Sequence, residues 1–325
     1  MPNAPTHIRR HLYSTIEPYS AEHLDVGDGH EVYLEQSGNK DGIPVIFIHG
    51  GPGGGTSPLQ RRFFDPEKYR IILFDQRGCG RSRPHASVDH NTTWHLIDDM
   101  ERIRQYLSID TWVLFGGSWG STLALLYAEQ HSDRTSAIVL RGIFLMMQNE
   151  LNWFYDHGTS AIFPEAYERF IEIIPEGERG DIIKAYCERL MGDDPDAQLE
   201  AAKRWSVWEG NAVTLVPDDM QLRQSAAPDF ALAFARIEAH YFLNNGFLEQ
   251  DDQILANAHK IKHIPITIIQ GRYDAICPPR SAWELKKALP RATLKMIPVA
   301  GHSAFEADIV HELVTAMDKL ATQKS

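Results

Sequence analysis

The chain carries a series of short apolar runs, each four to six residues long and most followed by a turn rich in glycine or polar residues. Runs that are this short and nearly continuous in Val, Ile, Leu and Phe predict strands buried on both faces of a sheet. The predicted strands are residues 44–48, 70–74, 112–115, 137–140, 264–269 and 292–297.

Helical patterns follow several of these strands. Strand and helix alternate along much of the chain, which is typical of a mostly parallel sheet with helices on both faces. Two earlier segments, residues 21–26 and 30–37, alternate between apolar and polar positions and predict an antiparallel hairpin at one edge of the sheet. The predicted helices are residues 93–107, 119–130, 279–288 and 307–320.

The alternation stops between residues 146 and 246. That stretch lacks strand-like runs and is rich in aromatic residues and helical patterns, as in 195–209 and 228–242. We therefore predict an all-helical cap at residues 146–246, inserted into an α/β catalytic core formed by residues 1–145 and 247–325. A chain of 325 residues suits one core with one insertion better than two large independent domains.

Charge and cysteine usage narrow the choice of partner and compartment. The formal net charge is −12, whereas nucleic acids and anionic membranes usually bind a basic face, so we expect neither as a partner. No apolar run approaches the roughly 20 residues of a membrane-spanning helix, and the N-terminal residues lack the apolar core of a signal peptide. The cysteines Cys79, Cys187 and Cys277 fit no zinc or redox motif. A reducing, cytoplasmic setting is favoured.

A serine stands where the third predicted strand gives way to a helix. Residues 116–120 read Gly-Gly-Ser-Trp-Gly, and Gly-x-Ser-x-Gly between a strand and a helix is typical of a nucleophilic serine. The tight turn strains the serine backbone, exposes its Oγ and requires small residues at Gly116 and Gly120. The helix that begins at Trp119 directs its partly positive end at the site. We predict that Ser118 is the nucleophile.

A glycine-rich loop follows the first core strand. Residues 49–55 read His-Gly-Gly-Pro-Gly-Gly-Gly, and glycines let the backbone approach a ligand closely. Backbone N–H groups that bind the oxyanion of a tetrahedral intermediate are worth roughly 3–4 kcal/mol each in known cases. We predict Trp119 and Gly51 as these donors. The alternative, a phosphate-binding loop, is disfavoured because the Lys-Ser/Thr of a P-loop is missing.

The loops after the last two strands supply an acid and a base. Asp274 ends Gly-Arg-Tyr-Asp after strand 264–269, and His302 ends Ala-Gly-His after strand 292–297. Serine, acid and histidine then follow one another in the order expected of this kind of site. We predict His302 as the general base and Asp274 as the residue that orients it. His49 belongs to the glycine-rich loop and is interpreted as structural.

These motifs together resemble those of the prolyl aminopeptidases (proline iminopeptidases). The resemblance spans almost the whole chain in the expected order, and Asp-Gln-Arg-Gly-Cys-Gly-Arg-Ser at 75–82 is fairly specific to this family and close relatives. It implies the α/β-hydrolase fold and the removal of N-terminal proline from short peptides, without metal or cofactor. Ser132 departs from the pattern, since relatives often carry proline there, but this is a detail of a helix end. The matching stretches are residues 49–53, 75–82, 116–121, 271–274 and 301–302.

The resemblance also assigns roles within the cap. Residues 205–209 and 235–238 are similar to two family motifs whose glutamates bind the free α-amino group of the substrate, which implies that role for Glu209 and Glu238. A buried ammonium group is tolerable only when it is paired with carboxylates. Judged by residue type alone, both glutamates suit solvated helix faces. The residues implied to line a proline pocket are Phe144, Tyr155 and Cys277.

Two other readings of the sequence stay open. The same fold and triad would serve an amino-acid amidase, an esterase or a lactonase, because the fold does not determine the substrate. A non-catalytic binding protein that retains the fold is the second alternative, and the complete triad argues against it. Whether the protein is a monomer or a homo-oligomer does not follow from the sequence.

Overall fold

The fold is built around a sheet of eight strands. The computed structural model describes residues 9–323. The strands are β1 Ser20–Gly27, β2 His30–Gly38, β3 Ile43–Ile48, β4 Tyr69–Phe74, β5 Trp112–Ser118, β6 Thr135–Ile143, β7 Ile266–Gly271 and β8 Thr293–Ile297. Their order in the sheet is β1-β2-β4-β3-β5-β6-β7-β8. The pairs β1·β2 and β2·β4 are antiparallel, and all the other pairs are parallel. The predicted mostly parallel sheet with an antiparallel hairpin at one edge is confirmed.

Twelve α-helices are found in the described part of the chain. They are α1 Thr93–Tyr106, α2 Trp119–Gln130, α3 Gln148–Asn152, α4 Thr159–Ile162, α5 Pro164–Ile171, α6 Ile182–Leu190, α7 Pro195–Ala212, α8 Asp219–Ser225, α9 Pro228–Leu243, α10 Gln253–Asn257, α11 Pro279–Ala288 and α12 Ala307–Gln323. Shorter 3₁₀ turns lie at Pro58–Phe63, Ser132–Arg134, Glu176–Glu178, Asn245–Phe247 and Ala258–Lys260, and a π-helical turn at Trp153–His157. The observed strands β5 and β6 are longer than the predicted ones. The apolar pattern ended the predicted strands too early, because the ends of the observed strands include glycine, serine and arginine.

Both faces of the sheet are covered by helices, which explains the apolar runs in its central strands. Successive strand residues point to opposite faces. Ile46 and Leu114 join the cluster that contains α1, α2 and α11. Their neighbours Val45 and Val113 join the cluster on the other face, which contains α12. The last four residues of β3 and all residues of β5 are therefore buried, and the resulting apolar runs are the signal that the sequence carries.

The chain between β6 and β7 is mainly helical and packs around aromatic rings. The ring of Tyr155 stacks on that of Trp205 with centroids 4.6 Å apart, and Phe170 stacks on Tyr186 and Trp208 at 4.6 and 5.5 Å. The division of the chain into a core and a cap at residues 146 and 246 stays a prediction. Within residues 9–323, no helix is long and apolar enough to cross a membrane.

Candidate active site

Ser118 lies at the point where β5 ends and α2 begins. Its backbone has φ +57° and ψ −131°, a conformation that a residue with a Cβ rarely adopts and that is typical of functional sites. The side chain is mostly buried, with 8% of the residue exposed. Since Trp119 is the first residue of α2, the unpaired N–H groups of the helix start are directed towards the serine.

The two glycines that flank the serine at a distance of two residues have a steric role. A Cβ on Gly116 would lie 2.3 Å from the carbonyl oxygen of Gly120. A Cβ on Gly120 would lie 2.1 Å from the carbonyl oxygen of Ile48, on the neighbouring strand. Neither position has space for a side chain, so the Gly-x-Ser-x-Gly pattern follows from the close contact between this turn and β3.

The acid and the histidine meet through a short hydrogen bond. His302 Nδ1 lies 2.8 Å from Asp274 Oδ2, and both residues are buried. The other carboxylate oxygen of Asp274 accepts the backbone N–H groups of Ile276 at 3.1 Å and Cys277 at 2.8 Å. Gln270 Nε2 donates to Oδ2 at 3.2 Å. These donors fix the carboxylate, which in turn assigns the imidazole proton to Nδ1 and leaves Nε2 with its lone pair.

The end of β6 lies between the serine and the histidine. Ser118 is paired with Ile143 across β5 and β6, and Gly142 precedes that residue in the chain. A Cβ on Gly142 would lie 3.0 Å from His302 Cε1 and 3.3 Å from Asp274 Oδ2. Within residues 9–323, Ser118 Oγ forms no hydrogen bond with the His302 ring, although in serine hydrolases this bond is often long before substrate binds.

The glycine-rich loop after β3 passes beside the serine. A Cβ on Gly50 would lie 3.3 Å from Ser118 Cβ, and Gly51 lines the same cavity as Ser118. Trp119 is buried, and its indole N–H donates to Gln76 Oε1 at 3.0 Å. The backbones of Gly51 and Trp119 thus lie near the nucleophile, and their role as oxyanion donors stays a prediction.

His49 is held in this loop by hydrogen bonds to the backbone. Its Nε2 accepts the N–H of Gln76 at 3.0 Å, and its Nδ1 lies 2.9 Å from the carbonyl oxygen of Gly50. Burial lowers the pKa of the imidazole, so the ring is neutral at pH 7. With both ring nitrogens engaged, His49 stabilises the loop.

Ser118 opens into a cavity of about 330 Å³ between the sheet and the helices that follow β6. Most of the wall is aromatic or aliphatic, and Phe144 packs edge-on against Phe242 with ring centroids 5.9 Å apart. Seven of the residues singled out in the sequence meet here. The lining consists of Gly51, Ser118, Phe144, Glu150, Leu151, Phe154, Tyr155, Glu209, Glu238, Phe242, Ile276 and Cys277.

Two of the carboxyl groups in the cavity form a pair. Glu209 comes from α7 and Glu238 from α9, and Glu238 is 1% exposed. Trp205 Nε1 donates to Glu238 Oε2 at 2.7 Å. Burial raises the pKa of both carboxyls, to about 7 for Glu209, and the charge of Glu209 raises the pKa of Glu238 further. Two buried carboxyls this close disfavour each other's ionisation, so the protonated form of at least one of them is favoured.

A third carboxyl group, Glu150, was not predicted from the sequence. Its Oε2 accepts the N–H groups of Leu145 at 3.0 Å and Met147 at 2.9 Å, and the Ser281 hydroxyl donates to its Oε1. Burial raises its pKa to about 7. These bonds fix the segment that carries Phe144. The one local signal was a glutamate at the third position of a short helix, which is typical of a capping box.

Comparisons with known proteins agree with this geometry. The model of the alpha/beta hydrolase fold family matches residues 43–308. A proline iminopeptidase from Arabidopsis thaliana is 53% identical over 313 residues, covering 96% of this chain and 82% of its own length. One from Xanthomonas citri is 53% identical over 312 residues, covering 96% and 100%. The solved structure of a proline iminopeptidase-related protein from Thermus thermophilus has a TM-score of 0.61 at 20% identity, covering 93% of this chain and 97% of its own, and supports the fold alone.

Sheet topology, the serine turn and the family match together define the class: this is an α/β hydrolase. At about half of all positions identical over nearly the full length, the relatives show more than a common fold. The chain belongs to the proline iminopeptidase family.

Proposed function

We propose that this protein is a prolyl aminopeptidase, a serine exopeptidase that releases N-terminal proline from short peptides. The observation that carries the proposal is the cavity itself, in which the nucleophile Ser118 and the carboxyl pair Glu209 and Glu238 share one small apolar space. An enzyme that selects a free N-terminus needs an anionic group at a fixed distance from the nucleophile. The family membership supports the choice of proline.

The chemistry would follow the acyl-enzyme route. Ser118 Oγ attacks the carbonyl carbon of the N-terminal proline while His302 Nε2 takes the hydroxyl proton. The oxyanion accepts the N–H groups of Trp119 and Gly51. His302 then gives the proton to the nitrogen of the leaving peptide, and the peptide bond breaks. Water, deprotonated by the same imidazole, hydrolyses the ester on Ser118 and releases proline. Asp274 holds the imidazole in the required tautomer and stabilises its protonated form.

The carboxyl pair would bind the substrate's secondary ammonium group. In the free enzyme, burial raises the pKa of both carboxyls, and the charge of Glu209 raises the pKa of Glu238 further, so ionisation of both at once is disfavoured. Arrival of the ammonium group favours ionisation of the second carboxyl, since an opposite charge lowers its pKa. An internal proline or an N-acylated one has no charge to offer, and its binding would leave a buried anion unpaired. Selectivity for a free N-terminus follows.

The apolar wall would contact the pyrrolidine ring. Phe144, Tyr155 and Cys277 all line the cavity into which Ser118 opens. Burial raises the pKa of the Cys277 thiol, so it acts there as a small apolar group. We also propose that the enzyme works in the cytoplasm, which is consistent with its free, buried cysteines.

The direct test compares a prolyl reporter amide with the same compound acetylated on its nitrogen, in wild type and in two variants. Replacing either glutamate, as Glu209→Gln or Glu238→Gln, should lower kcat/KM for the free amine by about a hundredfold to a thousandfold, the usual cost of breaking a buried ion pair. Glu200→Gln is the matched control, since Glu200 lies on α7 but pairs with Arg204 at the surface. Equal rates for the free and acetylated compounds in wild type would contradict the proposal.

A further inference from the structure

Glu306 joins the loop that carries His302 to a loop that follows α7. Its Oε2 accepts the backbone N–H of Gly301, the residue before the histidine, at 2.9 Å. Its Oε1 accepts the N–H of Leu215 at 3.0 Å. Leu215 lies 91 positions away in the chain, and it belongs to the stretch between α7 and α8. A single carboxylate therefore bridges two segments that are remote in sequence.

The backbone N–H and carbonyl groups of His302 form hydrogen bonds with two different parts of the fold. The N–H of His302 donates to the carbonyl oxygen of Val213 at 3.2 Å, directly after α7. The carbonyl oxygen of His302 accepts Arg141 Nη1, from β6, at 2.7 Å. The backbone of His302 is thus held from the sheet on one side and from the α7–α8 loop on the other.

The α7–α8 loop has little apolar burial to hold it in place. Leu215 and Val216 are 39 and 72% exposed. The loop nevertheless lies directly on the histidine loop, since a Cβ on Gly301 would be 3.0 Å from both Glu306 Oε1 and the Leu215 nitrogen. Segments that expose their apolar side chains open at low free energy. Hydrogen bonds to Glu306 and His302, together with the partly buried Val213 side chain, oppose such opening.

We propose that Glu306 is a positioning residue that couples the closed state of the α7–α8 loop to the alignment of the His302 imidazole. In the closed state of the loop, the Glu306 carboxylate accepts hydrogen bonds from the N–H groups of Leu215 and Gly301. The carbonyl oxygen of Val213 accepts one from the N–H of His302. When the loop lifts, His302 keeps only its core contacts and the ring loses its fixed position against Asp274. The inference rests on the proposed function in one respect, namely that His302 is the general base.

The kinetic test compares Glu306→Ala and Glu306→Gln with Glu312→Gln. Glu312 is the matched control because it lies on α12 and pairs with Lys295 away from the cavity. Misplacement of a catalytic group by about 1 Å can cost a hundredfold in rate, so Glu306→Ala should lower kcat about tenfold to a hundredfold with little change in KM. Glu306→Gln keeps one acceptor oxygen and should lose less. The control should stay within about twofold of wild type.

Amide hydrogen exchange separates coupling from general damage. In Glu306→Ala, exchange at both Leu215 and His302 should increase by about tenfold or more, while the strands stay protected. Exchange that rises around residue 301 but not at Leu215, or kinetics equal to those of the control, would overturn the inference.

Labelling of Ser118 by a fluorophosphonate keeps the two proposals distinguishable. It needs the serine and the histidine but no proline. If wild type is labelled yet does not hydrolyse the prolyl reporter, the proposed substrate is wrong, and slower labelling of Glu306→Ala would still support the coupling. Labelling of Glu306→Ala at the wild-type rate would refute the coupling, whichever substrate the enzyme uses.

Discussion

Gly142 offers a sharp test of the catalytic geometry, because it lies directly against the His302 ring. Its φ is +54°, and a Cβ there would lie 3.0 Å from His302 Cε1 and 3.1 Å from Nδ1. Carbon atoms in ordinary contact are about 3.5–4.0 Å apart, so Gly142→Ala must displace the imidazole by at least a few tenths of an ångström. Since Asp274 Oδ2 is only 3.3 Å from the same point, the carboxylate cannot absorb the shift.

The expected result is a fall in kcat for a prolyl reporter amide of about tenfold to a hundredfold. The positive φ adds a stability cost of about 1–2 kcal/mol, which any residue with a Cβ would incur. Gly29→Ala is the matched control. Gly29 has φ +77° and lies in the exposed β1–β2 turn, and no atom of residues 9–323 lies within 4 Å of its added Cβ. Both variants should lose similar unfolding free energy, measured in urea, and only Gly142→Ala should lose kcat. If both variants kept the wild-type kcat, the reasoning about the histidine would be refuted.

Two further predictions concern stability. Burial raises the pKa of Glu129 to about 8, and its Oε1 has no partner within residues 9–323. The contribution of Glu129 to the free energy of unfolding is therefore fully present below the unfolded-state pKa of 4.5, and it is lost as the pH rises to about 8. Glu129→Gln should raise the free energy of unfolding, measured in urea, by about 1–3 kcal/mol at pH 9 and leave it unchanged at pH 4. Equal increases at both pH values would contradict this prediction. Asp99 pairs with buried Arg77 through bonds of 2.7 and 2.8 Å. Asp99→Asn should cost about 3–5 kcal/mol, against less than about 1 kcal/mol for the exposed Asp133→Asn; similar losses would argue against a buried pair.

The parts of the site that the sequence predicted are those whose geometry is local. The turn at Ser118 needs a strand, two small residues and a helix within one short stretch, so a pattern of five residues identifies it. Asp274 and His302 follow strands, and parallel strands bring their carboxyl ends to one edge of the sheet. The apolar runs predicted those strands because both faces of the sheet are covered.

Other features depend on contacts between distant segments. Judged by residue type, Glu209 and Glu238 suited solvated helix faces, and only the packing of α7 against α9 brings them together in a cavity. Glu150 also lines the cavity, and the sequence did not predict this position.

The sequence by itself determined the strand–helix alternation, the serine turn and the order of acid and histidine. Each strand, helix or motif among them is recognisable from a short stretch of neighbouring residues. Only the tertiary structure decided that the Glu209 and Glu238 carboxyls line one cavity and that Glu306 reaches Leu215. The physical reason is that such contacts depend on how whole helices pack. A hydrogen bond between residues 91 positions apart leaves no periodic signal in the chain.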